Sequence, residues 1–156
     1  MEWQRGFSLI ELLVTLAVVA ILLTVGVPAS QAFIAKSRLT TASNQFTLSL
    51  LLARSEAAKR GKDVLMISAN GKDWSGGWRV GVDVNGDGDL SDASDEVVRV
   101  AAALRGGVSL KSSQAEKFAI SPSGWVTPSA TMSVGFNGKN KRIKVLASGR
   151  VTLTGD

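Results

Sequence analysis

Glu11 is a carboxylate set at the front of an apolar run, Gly6-Phe7-Ser8-Leu9-Ile10-Glu11-Leu12-Leu13-Val14-Thr15-Leu16. From Leu12 to Val27 no residue is charged, and only Thr15, Thr24 and Gly26 interrupt the apolar side chains. An ionised carboxylate in hydrocarbon costs about 2.5–3.5 kcal/mol on insertion scales, so it needs a partner. The segment contains no Lys or Arg to serve. Cleavage of the peptide bond between Gly6 and Phe7 would create one, because the new α-amine lies one helical turn before Glu11. The same amine on an adjacent copy would serve equally well and would tie subunits together.

Two simpler readings fit less of this pattern. A secretory signal peptide has a positive start, a short apolar core and a small-residue cleavage site. Val27-Pro28-Ala29-Ser30 imitates such a site, but the apolar stretch is long and Glu11 stands at its front. A plain membrane anchor accounts for the length, since a span needs about 20 residues. It leaves Glu11 unexplained.

Three further groups of residues have chemistry to offer. Asp83-Val84-Asn85-Gly86-Asp87-Gly88-Asp89 has the spacing of the front half of a calcium loop, with oxygen ligands at alternate positions and Gly at the sixth. The twelfth position is Ser94, and Asp95 comes one residue late. Asp83, Asn85, Asp87 and Asp95 are therefore a candidate weak calcium set, beside the alternative of an acidic turn shaped by Asn-Gly and Asp-Gly. Lys139, Lys141, Arg142, Lys144 and Arg150 form a basic tail suited to salt-dependent contact with DNA phosphates, or to an acidic face of a neighbour. Arg54-Ser55-Glu56 with Lys59 and Arg60 reads as helix-surface charge, with Glu56 pairing along the helix. Trp78 is expected to be buried, and Trp74 and Trp125, beside Ser and Gly, to offer exposed aromatic contact.

Composition narrows the function classes. The 156-residue chain has no histidine and no cysteine. Common zinc, haem and iron–sulfur ligand sets cannot be built, and Ser-His-Asp or Cys-His catalysis is excluded. No other acid–base constellation stands out, so the chain reads as a non-enzyme. No cofactor is expected, calcium being the one ion that the acidic loop would suit.

The net charge of +5 is less informative than its distribution. Lys36, Arg38, Arg54, Lys59, Arg60 and Lys62 precede an acidic middle of Asp63, Asp73, Asp83, Asp87, Asp89, Asp92, Asp95 and Glu96. From Arg105 to Arg150 the chain is basic again, with Glu116 the exception. Such segregation suggests complementary faces between subunits or an anionic partner for the tail.

These residues need elements to position them. The spacing predicts one helix from about Ser8 to Arg60, bent near Pro28, where a backbone donor is lost and the preceding turn is crowded. Past the apolar run, Leu39, Ala42, Phe46, Leu50, Ala53 and Ala57 recur at helical spacing and form a core-facing stripe. Gly61 is its stop. Short strands follow over 64–68, 78–84, 97–100, 108–110, 118–120, 132–136, 143–146 and 151–153, separated by Gly- and Asn-bearing turns. Removing residues 1–35 leaves about 120 residues, enough for a modest single core.

Arg5-Gly6-Phe7-Ser8-Leu9-Ile10-Glu11-Leu12 resembles the class III signal of type IV pilins and type II secretion pseudopilins. Arg38-Leu39-Thr40-Thr41-Ala42, Leu52-Ala53-Arg54-Ser55-Glu56-Ala57, Lys59-Arg60-Gly61, Gly77-Trp78 and Ser148-Gly149-Arg150-Val151 are similar to the GspH/FimT family of minor pilins. The resemblance implies an α+β, type IV pilin-like fold: a long N-terminal helix, membrane-spanning in its first half, packed on an antiparallel sheet. It implies a leader over 1–6, a transmembrane and assembly helix over 7–35, and a periplasmic domain over 36–156, helical over 36–61 and β-rich over 62–156. It also implies cleavage by prepilin peptidase after Gly6, methylation of Phe7, an assembly role for Glu11 and a kinking role for Pro28. Loop charge alone does not orient the span. The resemblance places the leader in the cytoplasm and the domain outside the inner membrane, before entry into a pilus or pseudopilus. The implied partners are other pilins or pseudopilins through the N-terminal helix, the peptidase and the inner membrane. Some FimT-type members bind DNA through a tail with a second Arg after Gly-Arg; here that position is Thr152 in Gly149-Arg150-Val151-Thr152.

Overall fold

The computed structural model describes residues 7–155. Helix α1 runs from Leu9 to Arg60, 52 residues, and continues through Pro28 as one element. Ser8 caps its start: the Glu11 amide lies 3.1 Å from the Ser8 carbonyl and 3.3 Å from its hydroxyl. Pro28 has no N–H to offer the Thr24 carbonyl one turn earlier.

The chain divides after Lys36 into two compact units. The first is apolar helix. Its most apolar stretch is long enough to cross a membrane, and none of that stretch is buried within the structure. Two hydroxyls in it fold back on the helix: Thr15 Oγ1 donates to the Leu12 carbonyl and Thr24 Oγ1 to the Ile21 carbonyl, at 2.8 and 2.7 Å. That satisfies both groups without water, as a hydrocarbon surrounding requires.

In the second unit α1 lays its stripe on a sheet. Leu39, Ala42, Phe46, Leu50, Ala53 and Ala57 are all buried. The helix ends at Gly61, whose φ of +63° and amide bond to the Ala57 carbonyl at 2.9 Å make a left-handed stop. The strands are β1 (Val64–Asn70), β2 (Asp73–Val82), β3 (Glu96–Ala101), β4 (Ser109–Ser112) and β5 (Lys117–Ile120). After them come β6 (Val126–Thr127), β7 (Ala130–Phe136), β8 (Lys139–Val145) and β9 (Val151–Gly155). Among the described residues they form one antiparallel sheet ordered β6-β5-β1-β2-β4-β7-β8-β9, with β3 also paired to β2. The core is the inner sheet face against α1. At its centre Phe46 meets Trp74, Trp78 and Phe118 edge-on, with ring centroids 5.5, 5.8 and 6.1 Å away.

Three sequence expectations are corrected here. Trp74 is not an exposed contact residue: it is fully buried, and its indole N–H donates to the Ala115 carbonyl at 3.0 Å. The reason is that β2 begins at Asp73, so Trp74 shares the two-residue period of Trp78, Val80 and Val82. The intervening Gly76-Gly77 hid that continuity. The same strand stops at Val82, leaving Val84 exposed in the following loop. Strand β8 begins at Lys139, not Ile143, because pairing with β7 carries through the lysines. Trp125 is exposed, as expected.

Candidate assembly and interaction surfaces

At the N-terminal end, Phe7 is 83 % exposed and Glu11 lies on the exposed helix one turn later. Every large apolar side chain from Phe7 to Leu23 is solvent-facing, Leu9, Ile10, Leu13, Leu16, Ile21 and Leu22 among them. A surface of that extent is stable only against lipid or other apolar helices. Gly6, the residue expected before the cut, lies outside the described residues.

The acidic segment between β2 and β3 is an ordered flap. Asp83 accepts the Gly86 and Gly88 amides at 2.6 and 2.7 Å, and Asp95 accepts those of Val84 and Asp92 at 3.3 and 3.1 Å. The Asn85 side-chain amide donates to both Asp87 and Asp92, at 2.7 and 2.9 Å. A side-chain hydrogen bond with Asp87, followed by repulsion from that like charge, raises the Asp92 pKa. Bonds from the Asp89 amide and Asn85 hold Asp87 below the usual carboxylate range. Among the described residues no group of three or more Asp, Glu, His or Cys side chains is arranged to hold a metal ion.

The flap is pinned to the outer sheet face. Arg79 of β2 donates to the Leu90 carbonyl at 2.8 Å, and Lys117 of β5 donates to the Gly88 carbonyl at 2.7 Å. Leu90, only 2 % exposed, sits beside Ile67 and Arg79.

The basic tail is divided by strand alternation. Arg142 and Lys144 lie on the outer face of β8, opposite the buried Ile143 and Val145. Lys139 and Lys141 share the parity of the core residues, at the end of the strand beyond the core. Arg150 is exposed in the turn before β9.

The charged helix end is paired. Glu56 accepts Lys59 at 3.1 Å and Arg60 at 3.0 Å, and Arg60 also reaches Glu96. The Arg60 bond, followed by that of Lys59, holds the Glu56 carboxyl below its usual range, and Arg60 lowers Glu96. Arg54 leaves this group. Its guanidinium donates to the Gly149 carbonyl at 3.0 Å, beneath the turns at Gly124 and Gly149. At Gly149, with φ +72°, a Cβ would meet the Gly124 carbonyl at 2.5 Å, so glycine is required.

Comparison with known protein families matches residues 42–149 to the family described as Type II transport protein GspH. The chain belongs to the GspH family. Residues 4–27 match the prokaryotic N-terminal methylation motif, which spans Gly6, Phe7 and Glu11. The crystal structure of the type IV minor pilin FimU of Pseudomonas aeruginosa PAO1 is similar, with a TM-score of 0.66 at 22 % identity. That similarity covers 76 % of this chain and 90 % of FimU. The minor pseudopilin EpsH from the Type 2 Secretion System of Vibrio cholerae gives 0.54 at 18 % identity, covering 76 % of this chain and 97 % of EpsH. At such identities the likeness is one of fold: a long helix packed on an antiparallel sheet. Prepilin peptidase-dependent protein D of Escherichia coli K12 is 50 % identical over 40 residues, 26 % of this chain. The match spans 27 % of that relative.

For this GspH-family chain, the sequence placed Arg38 and Arg54 among the helix charges without their long-range ties, and it did not single out Leu90. Arg38 donates to the Gly106 carbonyl at 2.7 Å, with its guanidinium 4.7 Å from the Phe136 ring centroid. It lines a groove of 470 Å³ between helix residues Ser37, Thr41 and Gln45 and the segment 102–106. Only Leu90 left a signal in sequence: one large apolar residue within an otherwise polar acidic loop.

Proposed function

We propose that this chain is a minor subunit of a type IV pilus that helps to start or cap the filament. Prepilin peptidase cuts after Gly6, Phe7 becomes the methylated N-terminus, and the subunit waits in the inner membrane with its sheet domain in the periplasm. It then enters the filament through residues 7–35, where Glu11 meets the Phe7 amine of a partner. The observation that carries this reading is the wholly exposed apolar helix with a carboxylate at its front. Lipid tolerates the apolar part, and only a fixed cation makes Glu11 tolerable there. The same chemistry serves a minor pseudopilin of a type II secretion system, the second reading, favoured by membership in the Type II transport protein GspH family.

The test is mass spectrometry of the mature protein from its own host, with a deletion strain. The expected product starts at N-methylated Phe7, and the deletion reduces surface pili while leaving exoprotein secretion intact. Loss of secretion with normal pili would establish the pseudopilin reading. An intact initiator end, or trimming at Ala29, would overturn both.

A further inference from the structure

The groove beside Arg38 joins an apolar floor to cationic walls. One wall is a polar stripe of α1, Ser37, Thr41 and Gln45, spaced four residues apart so that they share a helix face. The other is the segment from Ala102 to Gly106, between β3 and β4. Its Ala102 and Ala103 are exposed and too small to fill the space. Buried Ala42 and Val108 close the floor. The volume of 470 Å³ falls within the range of about 300–1,000 Å³ usual for small-molecule sites. The second wall is held in place, because the Leu104 amide donates to the Ser75 carbonyl at 2.8 Å.

Arg38 and Arg105 line this groove, and among the described residues no carboxylate does. Arg38 is aligned before any ligand arrives. Its Nη1 donates to the Gly106 carbonyl at 2.7 Å, and its Cζ lies 4.7 Å from the Phe136 ring centroid. A Cβ at residue 106 would stand 2.6 Å from that nitrogen, so glycine at this turn, with φ +73°, is what admits the guanidinium. The remaining N–H groups of Arg38 keep a fixed direction and stay free for a ligand. Arg105 is exposed and has no hydrogen-bond or ion-pair partner among the described residues. Guanidiniums match phosphate oxygens in paired hydrogen bonds, and the Ser37, Thr41 and Gln45 side chains can donate more.

Position in the chain selects among anions. Ser37 opens the second unit, and the exposed Phe33 and Ile34 stand just before it in sequence. Basic side chains next to a span attract anionic headgroups. An apolar floor among cations also suits an amphiphile better than a free inorganic ion.

We propose that this groove holds the phosphate headgroup of an anionic phospholipid while the subunit waits in the membrane. The proposal rests on the membrane-anchored stage of the reading above.

The test is native mass spectrometry of the full chain in detergent, titrated with phosphatidylglycerol or phosphatidylcholine. An apolar span retains both lipids unspecifically, so the readout is the difference between lipids and between variants. Wild type is expected to retain phosphatidylglycerol about tenfold better than phosphatidylcholine. Arg105→Glu and Ala103→Glu each place a carboxylate in the groove at an exposed position, and each is expected to abolish that preference. Equal retention of the two lipids by wild type, or a preference that survives either Glu variant, would overturn the site. Displacement of phosphatidylglycerol by millimolar inorganic phosphate would overturn it in favour of the free ion. Loss of a co-purified partner pilin as the sole effect of the Glu variants would overturn it in favour of an acidic protein surface. Release of the chain from host membranes by alkaline carbonate would remove the membrane stage of the filament reading itself. Retention in the membrane without the lipid preference removes the groove site alone.

Discussion

Arg54 and Gly149, 95 residues apart in sequence, are joined by a hydrogen bond of 3.0 Å from the guanidinium to the backbone carbonyl. The bond ties the helix to the turn between β8 and β9, and the same guanidinium underlies the Gly124 turn. Arg54 is half-buried, so water replaces the lost bond poorly. Hydrogen bonds to charged groups contribute about 1.5–3 kcal/mol, and Arg54→Ala is expected to destabilise the domain by that much. Arg54→Lys keeps the charge without the planar fork and recovers less than half. Thermal melts of the full chain in detergent would show this; an unchanged melting temperature for both variants would dispose of the tie.

Arg60 makes stability depend on pH. Its bonds to Glu56 and Glu96 lower both carboxyl pKa values in the folded state. The unfolded chain therefore binds protons more readily there, and the stabilisation is complete above the ordinary Glu pKa, about 4.3. It fades as pH falls through the lowered values of the folded state. The difference in melting temperature between wild type and Arg60→Ala is expected to be largest near neutrality and to shrink below about pH 4. A difference that stays constant from neutral to acid pH would mean that Arg60 acts by packing alone.

Trp74 and Trp78 differ in one hydrogen bond. The Trp74 indole donates to the Ala115 carbonyl at 3.0 Å, while the buried Trp78 indole N–H has no acceptor among the described residues. Each replacement by Phe loses a similar volume. Trp74→Phe also strands a carbonyl, at a cost of about 1–3 kcal/mol, whereas Trp78→Phe removes an unsatisfied donor. Trp74→Phe is expected to lower the denaturation midpoint more. The reverse order would contradict the hydrogen-bond assignment.

The contrast between these residues shows which parts of the fold local sequence reveals. The stripe from Leu39 to Ala57 is legible because a helix repeats over many turns, and Gly61 marks its end. Most strands are legible from alternation between turn residues. Trp74 is not, because Gly76 and Gly77 carry no side chains with which to continue the period. Strand β6, only Val126–Thr127, is too short to have a period at all. The long-range ties of Arg38 and Arg54 have no local signature: a long cation at the edge of a helical stripe looks solvated until its distant carbonyl is placed. The acidic flap is half legible. Its turns are written in Asn-Gly and Asp-Gly, but its attachment to Arg79 and Lys117 depends on strand pairing.

Glu11 yields the sharpest functional test. The proposed cut at the junction of Gly6 and Phe7 lies ahead of the helix start at Leu9, so Glu11→Ala is expected to be processed normally. It also makes the span more apolar, which favours residence in the membrane. What it would lose is the proposed attraction between its carboxylate and the Phe7 amine of a neighbour, in a low-dielectric surrounding where such an attraction is strong. Glu11→Gln preserves shape and removes charge, so it is expected to fail alongside Glu11→Ala. The measured quantity is the fraction of processed subunit in sheared filaments against the fraction left in membranes, and both variants are expected to accumulate in membranes. If Glu11→Gln assembles as wild type while Glu11→Ala does not, the contact is a neutral hydrogen bond. If both assemble normally, Glu11 has no part in setting the register of the filament.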